Sequence, residues 1–210
     1  MSRTTLISGR VVALVVVGLL VTLGACSTRG SAGTIAGSPA STHVEPATKV
    51  YTDVEALGRD SDLIVRGRVI EPVATDLDDG GLGPGHGGTP VAFYTIAVED
   101  HAGTGEVPAS VTLGYIDTAK VQAPDLDPLV IGQDYVFFLR KRTPETVPGV
   151  AEWAPFYVPT SEGFGVFTVG HDGTAVAHVP ELVKLRPGGA AATRVNDRLA
   201  VPARDLLAVK

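Results

Sequence analysis

The sequence predicts a mainly β protein, built as a small antiparallel barrel or sandwich. Short apolar segments of strand length recur along the chain, and several alternate between apolar and polar side chains. Glycine, proline and aspartate turns separate them. Residues 26–210 make 185 residues, enough for one domain with a real hydrophobic core. The successive segments of the chain, from the N-terminus onward, are consistent with this fold class.

The first 25 residues predict a secretory signal peptide. Arg3 and Arg10 precede an apolar run, Val11 to Ala25, that ends in small residues. A transmembrane helix is the alternative, but spanning a bilayer takes about 20 apolar residues. This run has only 15 residues, so its length and its flanks favour a signal peptide.

The residues Leu23, Gly24, Ala25 and Cys26 resemble the lipobox of bacterial lipoproteins. The resemblance implies that the Cys26 thiol carries a diacylglyceryl group and that cleavage makes Cys26 the first mature residue. Two acyl chains anchor a protein more stably than one, since each buried methylene contributes about 0.8 kcal/mol. Cys26 is the only cysteine, so no internal disulfide can form. The residues that follow it offer no base to activate a thiol.

Residues 26–49 predict a flexible tether between the lipid and a β domain at residues 50–180. The segment is rich in Ser, Thr, Ala, Gly and Pro and has few large apolar side chains. It therefore cannot offset the entropy of ordering by burial. The mature chain has 15 basic and 23 acidic side chains, a net charge of −8, which argues against nucleic-acid binding.

A short helix and seven strands are expected within the β domain. Thr52-Asp53-Val54-Glu55 has the spacing of a capping box, and Gly58 is placed to end the helix. DYVFFLR is apolar on both faces and predicts a central strand, whereas DLIVRGRVI has one buried face. The strands are predicted at residues 62–70, 91–100, 110–117, 134–140, 155–158, 163–169 and 174–179.

The C-terminal segment, residues 181–210, is expected to pack on the barrel. It carries six basic and three acidic side chains, which complements the acidic body of the domain. The basic residues are too dispersed to favour an anionic lipid surface. Pro202 is well placed for the first turn of a candidate C-terminal helix.

The order of a helix followed by DSDLIVRGRVI, FYTIAVED, PLVIGQDYVFFLR and GFGVFTVGHDGTAV resembles the OB-type barrel of netrin-like modules and tissue inhibitors of metalloproteinases. The resemblance implies an OB-like barrel with an attached helix, and binding as the usual activity. It does not extend to protease inhibition, because those inhibitors use a free N-terminal cysteine in a disulfide-held ridge. The predicted class is therefore a mainly β, OB-like barrel or sandwich with two short terminal helices.

The glycine-rich stretch at residues 76–90 matches G-x-G-x-x-G at Gly83, Gly85 and Gly88. A dinucleotide site needs a helix next, whereas Pro90 and a strand follow, so nucleotide binding is rejected. A phosphate loop also needs a lysine, which the stretch lacks.

A weak calcium site formed by Asp76, Asp78, Asp79 and His86 is a second interpretation of this stretch. The twelfth position of an EF-hand counted from Asp76 is Gly87, where a bidentate glutamate belongs. We therefore prefer a solvated hairpin connection, and no metal or cofactor is predicted.

No catalytic residue is assigned. The histidines, at positions 43, 86, 101, 171 and 178, show no metal-ligand spacing, and no serine has a G-x-S-x-G context. Asp125 and Asp127 are the nearest approach to paired carboxylates, but turn residues are the preferred interpretation. Trp153, Phe156 and Tyr157 are the candidate binding surface, with core packing as the default role.

These observations predict an extracytoplasmic lipoprotein of the cell membrane whose barrel is a binding or accessory module. The expected partners are membrane lipid, through acylated Cys26, and an envelope protein or other envelope component. The alternative is an envelope hydrolase, so enzymatic activity stays undecided, with a non-enzymatic role preferred. A cleft collecting two or more of Asp76, Asp78, Asp125 and His171 would favour the hydrolase. A flat apolar patch around Trp153 would favour binding.

Overall fold

A computed structural model describes residues 49–83, 85–121, 126–189 and 192–209 of the chain. The predicted signal peptide, lipobox and Cys26, together with nearly all of the predicted tether, lie outside the described residues. Two α-helices are present, α1 (Val54–Arg59) and α2 (Ala203–Leu207). The strands are β1 (Leu63–Asp78), β2 (Thr89–His101), β3 (Ser110–Ile116), β4 (Asp134–Arg142), β5 (Phe156–Pro159), β6 (Val166–Val169), β7 (Thr174–Ala177), β8 (Arg194–Val195) and β9 (Arg198–Pro202).

Five strands close into a ring in the order β1, β2, β3, β5, β4 and back to β1. The closure is possible because β1 pairs with β2 over nearly its whole length and with β4 through its first residues, Leu63 to Arg68. The ring confirms the prediction of a mainly β, barrel-like fold. One pairing differs from an all-antiparallel barrel, since β3 and β5 run parallel and meet at a single residue pair, Leu113 and Tyr157.

The remaining strands extend the sheet from the outer side of β4. They follow in the order β6, β7, β9 and β8, so the C-terminal segment joins the sheet through pairing of β9 with β7. An ion pair between Arg198 on β9 and Asp127 adds a contact to the connection before β4. The sequence analysis assigned β8 and β9 to no strand.

The buried side chains form three clusters. One draws on all five ring strands and fills the interior, with Leu113, Tyr135 and Phe137 among its members. A second lies between the outer face of β4 and the helices, strands β6, β7 and β9, and includes Phe138 and Leu206. A third, smaller cluster covers the outer faces of β2 and β5 and is built from Phe93, Val147, Val150 and Phe156.

The N-terminal helix begins one residue later than the capping box predicted. Its N-cap is Asp53, whose side chain accepts a hydrogen bond from the Ala56 backbone N–H at 2.8 Å. Gly58 does not end the helix, which continues to Arg59. A Cβ at Gly58 would lie 3.2 Å from Val209 Cγ2 and 3.6 Å from Phe138 Cε1, so close packing is the reason for this glycine.

All seven predicted strands are present, with two corrections to their bounds. β1 extends eight residues beyond Ile70, to Asp78, where it forms a long hairpin with β2. The first residues of the predicted strand 163–169 instead belong to a 3-10 turn, Glu162–Gly165. Ser161 and Glu162 have positive φ angles there, which interrupts the extended backbone. No helix within the described ranges is long and apolar enough to span a bilayer.

Candidate functional site

A groove of about 470 Å³ lies where β3 and β5 diverge. Because these parallel strands pair only at Leu113 and Tyr157, their carboxyl ends separate. Residues Gly114 to Ile116 of β3 line one side, and Val158 and Pro159 of β5 line the other. The volume falls within the range of about 300 to 1,000 Å³ that is usual for small-molecule sites.

The floor of the groove is apolar and closely packed from beneath. Val91, Ile116 and Val158 contribute aliphatic side chains to it. Gly114 has no side chain because the Phe156 ring occupies that space, with its Cε2 only 2.8 Å from where a Cβ would lie. The aromatic cluster around Phe93 and Phe156 therefore supports the groove wall from below.

Arg140 and Arg142 bring positive charge to the groove from the end of β4. They are opposite Val158 and Phe156 in the β4–β5 register and lie on the same face of β4. Arg142 is half-buried, and its burial, followed by the charge of Arg140, lowers its pKa, while Asp78 and Asp62 act in the opposite direction. Their positions two residues apart on one face of β4 place the two charges near each other.

Neither arginine side chain forms a hydrogen bond or an ion pair with another residue in the described part of the chain. Other arginines of the domain are paired: Arg66 and Arg68 both contact Glu99 and Asp134. The side chains of Arg140 and Arg142 are therefore available to a ligand in the groove.

The far end of the groove carries a satisfied polar cluster. Tyr51 Oη donates a hydrogen bond to Asp60 Oδ2 at 2.6 Å, and Lys49 forms an ion pair with the same carboxylate. The hydrogen bond from Lys49, followed by that from Tyr51, lowers the pKa of Asp60. Asp78 and Glu162 also line the groove, so it presents acidic as well as basic side chains.

The three predicted hydrolase residues that the structure describes, Asp76, Asp78 and His171, do not line one groove. Asp76 accepts a hydrogen bond from the Trp153 indole at 2.8 Å, and that bond is the main cause of its lowered pKa. Only Asp78 of the three lines the groove, His171 is exposed in the turn between β6 and β7, and Asp125 lies outside the described residues. Among the residues described, no group of three or more His, Cys, Asp or Glu side chains is arranged to hold a metal ion.

The three residues of the candidate aromatic surface occupy two environments. Phe156 is fully buried, and Trp153 stacks on Phe93 with ring centroids 4.9 Å apart. Tyr157 packs instead against the interior cluster of the ring. Trp153 and Phe156 therefore help to support the groove, and no flat apolar patch forms around Trp153, which is half-buried and hydrogen-bonded.

The glycine-rich stretch connects β1 to β2, as the preferred interpretation of the sequence predicted. The carboxylates of Asp78 and Asp79 accept hydrogen bonds from the backbone N–H groups of Gly80, Gly81 and Gly83. Pro148 packs against Gly81, where it would lie 2.8 Å from an added Cβ. The acidic side chains of this loop are thus engaged in holding the turn.

The two groove arginines were not among the site residues predicted from the sequence. The only available signal was the basic triplet Arg140-Lys141-Arg142 directly after an apolar strand, in which alternation places Arg140 and Arg142 on one face. Whether such charges have partners depends on distant parts of the chain, which alternation does not reveal.

No protein-family model matches the chain, and a search of curated proteins returns no significant match. The function proposed below therefore rests on the sequence features and on the geometry of the groove.

Proposed function

We propose that this protein is a membrane-anchored, extracytoplasmic lipoprotein whose β domain binds a component of the cell envelope. The observation that carries the binding role is the groove at the β3–β5 divergence, which combines an apolar floor with two unpaired arginines. The lipobox at Leu23 to Cys26 supports the anchor. A tether of about two dozen residues would let the domain move freely near the membrane surface.

The hydrolase alternative receives less support from the same groove. General acid–base hydrolysis needs two catalytic groups within reach of one reacting bond. Of the three hydrolase candidates within the described ranges only Asp78 lines the groove, and Asp76 is engaged by Trp153. Positive charge over an apolar floor suits the recognition of a ligand better than hydrolysis by carboxylates.

Cross-linking in cells tests the binding role. A photoreactive amino acid replaces Val158 in the groove wall, and a matched chain carries it at Thr104, an exposed loop position between β2 and β3. We expect the Val158 probe to capture one envelope component reproducibly, identified by mass spectrometry. The Thr104 probe and a tether-only protein should not capture it.

Capture of that component equally well from Thr104 would contradict binding in the groove. If the Val158 probe captures nothing above the tether-only control, the binding role is wrong and the enzymatic alternative gains ground.

A further inference from the structure

We infer that the groove holds the phosphate group of an amphiphilic ligand between Arg140 and Arg142, with the ligand's apolar part on Val91, Ile116 and Val158. This inference rests on the proposed binding function and names its ligand class. Three features of the groove support it: the unpaired cationic pair, the neighbouring apolar floor, and the placement of the acidic residues.

The side chains of the two arginines form a cationic pair with no ion pair or hydrogen bond to another described residue. Carboxylates lie nearby, since the charges of Asp78 and Asp62 act on Arg142 and that of Arg140 acts on Asp60. They are two residues apart on one strand face, a separation of about 7 Å between their Cα atoms, which lets both guanidinium groups reach one anion. Their charges already act on each other, since Arg140 lowers the pKa of Arg142. An anion between them would relieve this repulsion at a partly buried position, where screening by water is weaker.

A phosphate matches this pair better than a carboxylate. One guanidinium fork is enough to match the two oxygens of a carboxylate. A phosphate monoester carries about −1.5 to −2 charge near neutral pH and three acceptor oxygens, which two arginines can share. The domain is acidic overall and pairs other arginines with its own carboxylates, so leaving these two unpaired favours an external anion.

The rest of the groove restricts what can be attached to the phosphate. Val158 lies directly opposite Arg140, and Val91 and Ile116 offer further apolar contact in the same groove. Asp78 and Glu162 line the groove as well, and they would repel a ligand with negative charge along its whole length. The ligand class is therefore a single phosphate on an apolar body, as found in phosphorylated small amphiphiles and in lipid headgroups.

Titration of the full chain with defined probes tests the inference. Binding of butyl phosphate, inorganic phosphate and pentanoate is followed by calorimetry and by NMR of the arginine Nε–Hε signals. We expect butyl phosphate to bind at least 10-fold more tightly than pentanoate and more tightly than inorganic phosphate. Dihexanoylphosphatidic acid, whose headgroup is a phosphate monoester, forms a parallel arm that tells a lipid headgroup from a soluble phosphate, according to which of the two phosphates binds more tightly.

Variants locate the site. Arg140→Gln and Arg142→Gln should each weaken butyl phosphate binding at least 10-fold, whereas Arg142→Lys should weaken it less, because it keeps the charge but loses the fork. Arg186→Gln is the matched control, since Arg186 is exposed, remote in sequence and lies outside the groove. It removes one positive charge and should change binding less than 2-fold.

The inference would be overturned by an absence of saturable butyl phosphate binding. Equal losses in Arg186→Gln, or pentanoate binding as tightly as butyl phosphate, would overturn it too. If the Val158 probe still captures its envelope component in the Arg140→Gln/Arg142→Gln double variant, the phosphate inference fails while the proposed binding function stands.

Discussion

His178 shows how one buried side chain can set the acid stability of this domain. It is 3% exposed, and its Nε2 lies 2.8 Å from Thr168 Oγ1, while its Nδ1 is buried without a hydrogen-bond partner. Burial is the main reason that its pKa falls from 6.5 to about 4, with Arg198 lowering and Asp127 raising it. The folded protein therefore holds a neutral imidazole at pH values where the unfolded chain binds a proton.

We predict that this difference destabilises the fold as pH drops from 6.5 to 4. Because the unfolded chain binds more protons in that window, the free energy of unfolding rises with pH through it and levels off above pH 6.5. Across this window the free energy of unfolding should change by about 3 kcal/mol, at about 1.4 kcal/mol for each pKa unit. His178→Gln, which keeps a polar group for Thr168, should lose this pH-dependent part of the free energy of unfolding. Urea unfolding at a series of pH values measures it.

The matched control for this measurement is His171→Gln. His171 is exposed in the turn between β6 and β7, so its replacement should leave the pH profile of the wild type intact. Identical slopes for wild type and His178→Gln between pH 4 and 6.5 would show that His178 does not have this role.

At the scale of the strand, β1 forms the seam on which the ring depends. Its first residues pair with β2 and β4 together, and its register with β2 shifts between Arg66 and Gly67. A Cβ at Gly67 would lie 2.6 Å from the Ala97 carbonyl oxygen and 2.8 Å from Ile96 Cγ2. This position therefore needs glycine because β2 approaches it closely at a bulge.

Gly67→Ala should consequently destabilise the domain by about 1 to 3 kcal/mol, since backbone and a core side chain must both shift. Denaturant unfolding measures the change. Gly105→Ala is the control, because nothing lies within 4 Å of an added Cβ in that exposed loop, and it should stay within about 0.5 kcal/mol of wild type. Similar losses in both variants would contradict a specific requirement at the bulge.

The strands that were predicted and the two that were missed show which strands can be recognised from the sequence. Alternation and apolar runs predict the central parts of β1 to β7, because those residues must face a core. β8 and β9 were missed although Asn196 and Asp197, both at positive φ, form a two-residue hairpin turn typical of such residues. The groove was missed because it arises from the divergence of β3 and β5, which are more than 40 residues apart in the chain.

At the scale of the whole molecule, the C-terminal segment completes the second core. Leu199, Val201 and Leu206 are buried in the same cluster as Phe138 of the ring and Leu57 of α1. Removing a buried leucine side chain from such a cluster costs transfer free energy and leaves a cavity. The last strand and helix are thus part of the cooperative unit rather than an appendage.

Leu206→Ala should accordingly lower the free energy of unfolding by about 2 to 5 kcal/mol in urea titration. Leu82→Ala removes the same atoms from a hairpin tip where the leucine is 67% exposed, and it should have little effect. A loss in Leu206→Ala no greater than that in Leu82→Ala would contradict a structural role for α2.

The attachment of the whole molecule to a membrane depends, in our proposal, on Cys26 alone. If that thiol carries the lipid, metabolic labelling with an alkyne fatty acid should mark the wild-type protein and place it in the membrane fraction. Cys26→Ser has no thiol to form the thioether and should lose the label entirely. Ser27→Ala, which alters the neighbouring residue and keeps the thiol, should retain it.

Fractionation alone would not decide the question, because an uncleaved signal sequence can itself hold a chain at the membrane through its apolar run. The label separates the two attachments. A Cys26→Ser protein that still incorporates the fatty acid and still sediments quantitatively with membranes would show that the anchor lies elsewhere. A wild-type protein that stays unlabelled while its lipid-modified neighbours are labelled would contradict lipidation itself. If that unlabelled protein is also absent from the membrane fraction, the groove acts in a domain that moves freely, and a soluble phosphate becomes the expected ligand because nothing holds the domain beside a headgroup layer.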